Sequence, residues 1–139
     1  MNILVFVLTV SFNIFLNKAL NESHLEEQDY ACMKILNLTV EFVLNGFNQF
    51  NFLTEGCSEL NEFVNCSWHK AGYLNSDSEI DPERVKDWIN TNLVQKTPES
   101  TVTAENLVNP CKDIKGEDSG DTVVKVYNCM MEIWWQSRW

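Results

Sequence analysis

The stretch F63-V-N-C-S-W-H-K-A-G-Y-L-N-S-D-S-E-I-D-P-E-R-V-K-D-W-I89 holds one helix end, one loop and one helix start. Gly72 closes the first helix, because glycine adopts the left-handed conformation that ends helices without steric cost. Asp81 is a strong N-cap, and Pro82 falls in the first helical turn, where its missing N–H is harmless. Val85, Trp88 and Ile89 then share one apolar face. A helix carrying Cys66, a glycine stop and an acid-capped helix follow one another in a short span.

Working outward, the same helical period recurs while strand-like alternation does not. The pattern predicts a first helix over 22–36, with Leu25, Met33 and Leu36 on one side. Thr39 caps a second, in which Val40, Val43, Leu44 and Phe47 recur at helical spacing. The third is expected over 54–71. A fifth segment, 103–115, carries Leu107, Val108, Cys111 and Ile114. Pro110 should kink or split it, and Gly116 ends it. The last is expected over 121–137. Its wet stripe is Lys125, Asn128, Glu132 and Gln136, and Val123, Val124, Tyr127, Met130, Met131 and Trp134 cover the rest. Six helices and no convincing strand predict an all-α domain.

Residues 1–19 read as a secretory signal peptide: an apolar run with no acidic residue, and Ala19 before the cleavage point. The run is too short and too interrupted by Asn13 and Asn17 to span a bilayer comfortably. It lacks the usual basic residue before the apolar run. The mature domain is then 20–139, expected to be extracellular and soluble, and long enough for one core. Without Lys18 it has nine basic and twenty acidic residues, a net charge near −11. That excludes nucleic acid and anionic membrane as natural partners, since both need a basic surface. Sequons at Asn21, Asn37 and Asn65 suit secretion, Asn65 least, because it adjoins a cysteine.

The chain has five cysteines, at 32, 57, 66, 111 and 129. On a helix over 54–71, Cys57 shares the apolar stripe of Leu60, Val64, Trp68 and Ala71, and Cys66 lies on the opposite side. The two would be about 13.5 Å apart along the axis. A disulfide needs Cα atoms within about 7 Å, so they do not bridge each other.

Taking Cys32, Cys66, Cys111 and Cys129 alone, 33, 44 and 17 residues intervene. This spacing and the text from Phe63 to Ile89 resemble the insect pheromone- and odorant-binding protein family over about 22–139. The family usually has six cysteines in three bridges. Two of its positions, four before the third cysteine and nine before the last, fall here on Glu62 and Gly120. Those two pair in the family, so the chain resembles a reduced-cysteine subgroup that lost one bridge as a unit. The resemblance implies bridges Cys32–Cys66 and Cys111–Cys129. It also implies a looser cavity, since nothing ties the third and sixth helices at Glu62 and Gly120. Cys57 is read as a free thiol serving as a small buried hydrophobe. An intermolecular disulfide and a Cys32–Cys57 pairing are the alternatives.

No C-x-x-C, H-E-x-x-H, G-x-S-x-G or phosphate-binding loop is present, so metal, hydrolase and nucleotide readings lack their minimum parts. No catalytic residue, metal ligand or cofactor is expected. His69 is read as an ordinary part-exposed histidine, with a pH-sensitive role as the lesser reading. Tryptophans at 68, 88, 134, 135 and 139 and phenylalanines at 42, 47, 50, 52 and 63 exceed what a compact core needs. The resemblance implies a six-helix, disulfide-linked bundle around an apolar cavity for small volatile or lipid-like molecules. The helix faces put Phe52, Phe63, Trp88, Tyr127, Met130 and Trp134 forward as its lining, with Tyr127 as the polar handle. The tail I133-W-W-Q-S-R-W139 is expected over the cavity mouth, with a protein contact as the rival.

The expected partner is a small hydrophobic ligand, with a chemosensory receptor as a further one, and the expected state is a monomer or weak homodimer. Two other functions compete. One is a salivary or venom scavenger of a cationic or lipid signal, suited by the acidic charge and the tryptophans. The other is an interaction protein without a ligand. A cavity of several hundred cubic ångströms separates the binding readings from the last.

Overall fold

The structure is a computed structural model that describes residues 21–94 and 101–138. The expected leader, 1–19, and Trp139 lie outside the described residues. Among the described residues a 3-10 turn, Glu22–His24, precedes six α-helices. These are α1 (Glu27–Leu36), α2 (Val40–Asn45), α3 (Ser58–Ala71), α4 (Pro82–Ile89), α5 (Ala104–Val108) and α6 (Ser119–Gln136). A π-helical turn, Asn90–Val94, continues α4. Among the described residues the only extended pairings are two isolated bridges, Phe47 with Leu53 and Leu74 with Ile80.

The helix starts follow their caps. Asp81 accepts from the amides of Glu83 and Arg84 at 3.1 and 3.3 Å, with Pro82 in the first turn of α4. Thr39 and Thr103 cap α2 and α5 through Phe42 and Asn106. Gly72, at φ +83°, ends α3. At the start of α6, Asp118 accepts from Asp121 N at 2.8 Å. Asp121 in turn accepts from Glu117 N and from Lys125 Nζ, each at 2.8 Å. The Lys125 hydrogen bond, and next the Glu117 amide, hold the Asp121 carboxyl below its ordinary range.

Three expected boundaries need correction. The segment 22–36 breaks at Leu25, which is extended, and Glu26 caps α1. The third helix starts at Ser58, because Gly56 turns the chain at φ +78° and Cys57 is an extended N-cap residue. Cys57 is therefore off the helical stripe, part-buried and unbridged, with its Sγ 3.7 Å from Glu59 Oε2. The fifth segment is helical only to Val108, and 109–113 forms turns around Pro110.

Cys32–Cys66 joins α1 to α3, and Cys111–Cys129 joins the turn after α5 to α6. The buried apolar side chains form two neighbouring cores that both draw on α6 and share Trp68 and Ile80 at their border. Val123 and Val124 face the first, with Cys32, Met33, Val43, Leu60, Phe63 and Val64. Val126, Met130 and Trp134 face the second, with Val85, Ile89, Leu107, Val108 and Cys111.

At the position of the lost bridge, α3 and α6 meet closely. A Cβ on Gly120 would lie 2.4 Å from Asn61 O and 2.7 Å from Asn61 C. Backbone cannot swing aside as a side chain does, so the helices must separate for any larger residue. Gly120→Ala is expected to cost about 2 kcal/mol net, after allowing for alanine's better helix propensity. A urea melt with an unchanged midpoint would show that the two helices part freely here.

Candidate functional site

The second core carries a small, partly open cavity lined by Trp88, Ile89, Leu107, Tyr127, Met130, Met131 and Trp134. α4 presents Trp88 and Ile89 at its last turn, α5 supplies Leu107, and α6 supplies the other four at helical spacing. None of these residues is charged. The free interior is about 20 Å³, little more than one water-sized sphere. Small-molecule pockets are usually several hundred cubic ångströms. The space is largely filled by its own aromatic and methionine side chains, so a ligand of that size has to displace part of the wall.

Four of the six candidate lining residues, Trp88, Tyr127, Met130 and Trp134, are brought together here. Phe63 is not among them: it is buried in the first core. Phe52 is also absent from the lining and lies part-buried in the 47–53 loop. Ile89, Leu107 and Met131 are the lining residues that sequence reasoning missed. Each had been assigned to an apolar helix face, and no periodicity says which face turns to a void rather than to packed core.

Tyr127 departs from its expected role. Its ring forms part of the wall and meets Phe47 edge-on, with centroids 6.1 Å apart. Its hydroxyl donates to Asn51 O at 2.9 Å, so the polar handle is already engaged by the 47–53 loop. Burial pushes the phenol's pKa above its ordinary value. Two more α6 side chains hold the same loop. Asn128 accepts from Leu53 N and donates to Leu53 O, both at 2.8 Å, and Trp135 Nε1 donates to Phe50 O at 2.8 Å.

The tail as described is the last turn of α6, not a separate flap. Trp134 is buried in the cavity wall, and Trp135 packs edge-on against Phe50 at 5.6 Å. The Arg138 guanidinium lies 5.5 Å from the Trp134 ring and 5.8 Å from Trp135. Beside the cavity, Tyr73 bridges Trp68 and Trp88 in edge-to-face contacts at 5.6 and 6.3 Å. Burial first, then the charges of Glu26 and Asp29, push its hydroxyl up to about 12. His69 is exposed, with Nε2 3.4 Å from Ser78 Oγ.

The described residues thus form a helical fold with two disulfides and a small apolar cavity. The sequence profile of the PBP/GOBP family, the insect pheromone- and odorant-binding proteins, matches residues 17–133. The chain belongs to that family, which binds small hydrophobic ligands such as odorants, is not an enzyme family, and has secreted members. Comparison with curated proteins and with solved structures gives no match.

Proposed function

We propose that this chain is a secreted carrier of a small apolar molecule in extracellular fluid, with residues 20–139 as the mature domain. The observation that supports this most is the convergence of α4, α5 and α6 on one small, uncharged cavity. Apolar burial supplies the affinity, at about 25 cal/mol per Å² removed from water. Ligand uptake moves Tyr127 and the methionines, whose unbranched side chains re-pack with little strain. The chain works without catalysis or a cofactor, and a chemosensory receptor is its natural downstream partner. Glu62 and Gly120, standing where the family usually bridges two cysteines, support reading it as a reduced-cysteine member.

The cationic-scavenger reading has less support. No carboxylate lines the cavity, and the protein's own Arg138 already faces the Trp134 and Trp135 rings. The interaction-protein reading draws on the small free volume and on Phe50, which is 44% exposed.

Displacement of a bound fluorescent naphthylamine by a panel of apolar alcohols, esters and terpenoids, run beside serotonin and histamine, tests the proposal. Micromolar dissociation constants, about −8 kcal/mol, are expected for the apolar set alone. Tight amine binding without apolar binding favours the scavenger. Silence from every compound favours the interaction protein.

A further inference from the structure

The 47–53 loop has the build of a single rigid piece. Asn48 N donates to Phe52 O and Asn51 N to Asn48 O, each at 2.9 Å. The Asn48 side chain accepts from Phe50 N and Phe52 N at 2.9 and 3.0 Å. Neither disulfide reaches this loop. Its ties to α6 include the hydrogen bonds from Tyr127, Asn128 and Trp135. Downstream, Gly56 sits at φ +78° with open space around its Cα, which suits a hinge.

Tyr127 belongs to both parts. One face of its ring walls the cavity, its edge meets Phe47, and its hydroxyl holds Asn51 O. A 20 Å³ interior admits no ligand of ten heavy atoms, so some wall must move. Moving Tyr127 outward enlarges the cavity only if its hydroxyl leaves Asn51. Resting on the carrier reading above, we propose that Tyr127 is a latch, through which the 47–53 loop swings away from α6 as one unit to admit ligand. The phenol has a single proton to donate. A ligand bearing an acceptor oxygen competes with Asn51 for it and holds the latch open, whereas a pure hydrocarbon lets it reclose.

Stopped-flow binding of N-phenyl-1-naphthylamine to the full mature protein tests this. Tyr127→Phe keeps the aromatic wall and removes the latch, so association should accelerate about three- to tenfold, the weight of one net hydrogen bond. In the same variant the Leu53 amide, held by Asn128, should exchange with solvent faster. The Phe50 and Phe52 amides, held within the loop, should keep their protection. Asn128→Ala releases the loop from outside the cavity and should also speed association, which keeps the test open if Tyr127→Phe misfolds. A folded Tyr127→Phe with unchanged association rate and Leu53 exchange overturns the latch while leaving the carrier intact. Wild-type protein that binds no probe overturns the carrier reading and the latch together.

Discussion

Replacing Cys32 and Cys66 together by alanine is expected to cost roughly 4 kcal/mol, one of the largest stability losses a substitution in this chain should produce. The bridge spans 34 residues, and closing a loop of that length removes about 3.8 kcal/mol of denatured-chain entropy in the chain-entropy model. Cys111–Cys129 spans 18 residues, worth about 3.2 kcal/mol on the same reasoning. A domain of this size has only about 5–15 kcal/mol in total, so losing both should leave it largely unfolded at physiological temperature. The two bridges serve different cores. Cys32–Cys66 clamps α1 against α3 around Met33 and Leu60. Cys111–Cys129 pins the α5 turn to α6 behind the cavity. The first substitution should thus lower the urea midpoint strongly yet leave residual ligand binding in the folded fraction. Removing the second should impair binding as well. Equal midpoints for wild type and the Cys32→Ala/Cys66→Ala variant would refute the assignment of that bridge as a major stabiliser.

Local chemistry made most of the helix boundaries legible. Asp81-Pro82, Thr39 and Thr103 each satisfy orphan amides of the turn that follows, so the starts of α4, α2 and α5 could be read from single residues. Gly72 was equally plain as a stop. Where the reading missed, two local signals competed. Thr54 resembles a cap, but Gly56 two residues later takes a left-handed turn that no helix start tolerates, and Cys57 becomes the cap position instead. Asp118, not Asp121, starts α6, because Ser119 and Gly120 are poor helix formers that packing against α3 holds in place.

The site was legible in part for a different reason. Helical periodicity says which side chains share a face, and it grouped Tyr127, Met130 and Trp134 on α6, where all three line the cavity. It does not say which of two cores a face meets. Phe63 has the size and spacing of a lining residue, yet its ring is buried among first-core side chains, while Trp68, further along α3, is the residue that reaches the second core. The engagement of the Tyr127 hydroxyl was beyond sequence reasoning altogether. Its partner is a backbone carbonyl 76 positions away, and main-chain groups leave no mark on residue type. The small cavity volume was hidden likewise, since bulky aromatics line a void or fill it according to sub-ångström packing.

Trp134→Ala should therefore act in two opposed ways. Trp134 is 5% exposed and belongs both to the second core and to the cavity wall. Truncating a buried tryptophan typically costs 3–5 kcal/mol, from lost transfer energy and from the void that remains. That is a loss comparable to one disulfide, and the variant's thermal midpoint should fall accordingly. The void, however, adjoins a cavity of only about 20 Å³ in the wild type, and its walls are apolar. An apolar void that the surrounding helices cannot collapse stays open to a molecule of matching shape. Cys111–Cys129 and the close Gly120–Asn61 contact both resist such a collapse of α6 onto its neighbours. Indole, the group removed, should bind the variant and restore stability by mass action, about 2.7 kcal/mol at a hundredfold excess over its dissociation constant. Thermal melts of both proteins with and without indole measure this directly, and the variant should gain more than the wild type. A variant that loses the expected stability and gains nothing from indole would show that α6 closes over the gap. Indole rescue would instead identify the second core as a rigid shell around a ligand-sized space that Trp134 occupies when no ligand does.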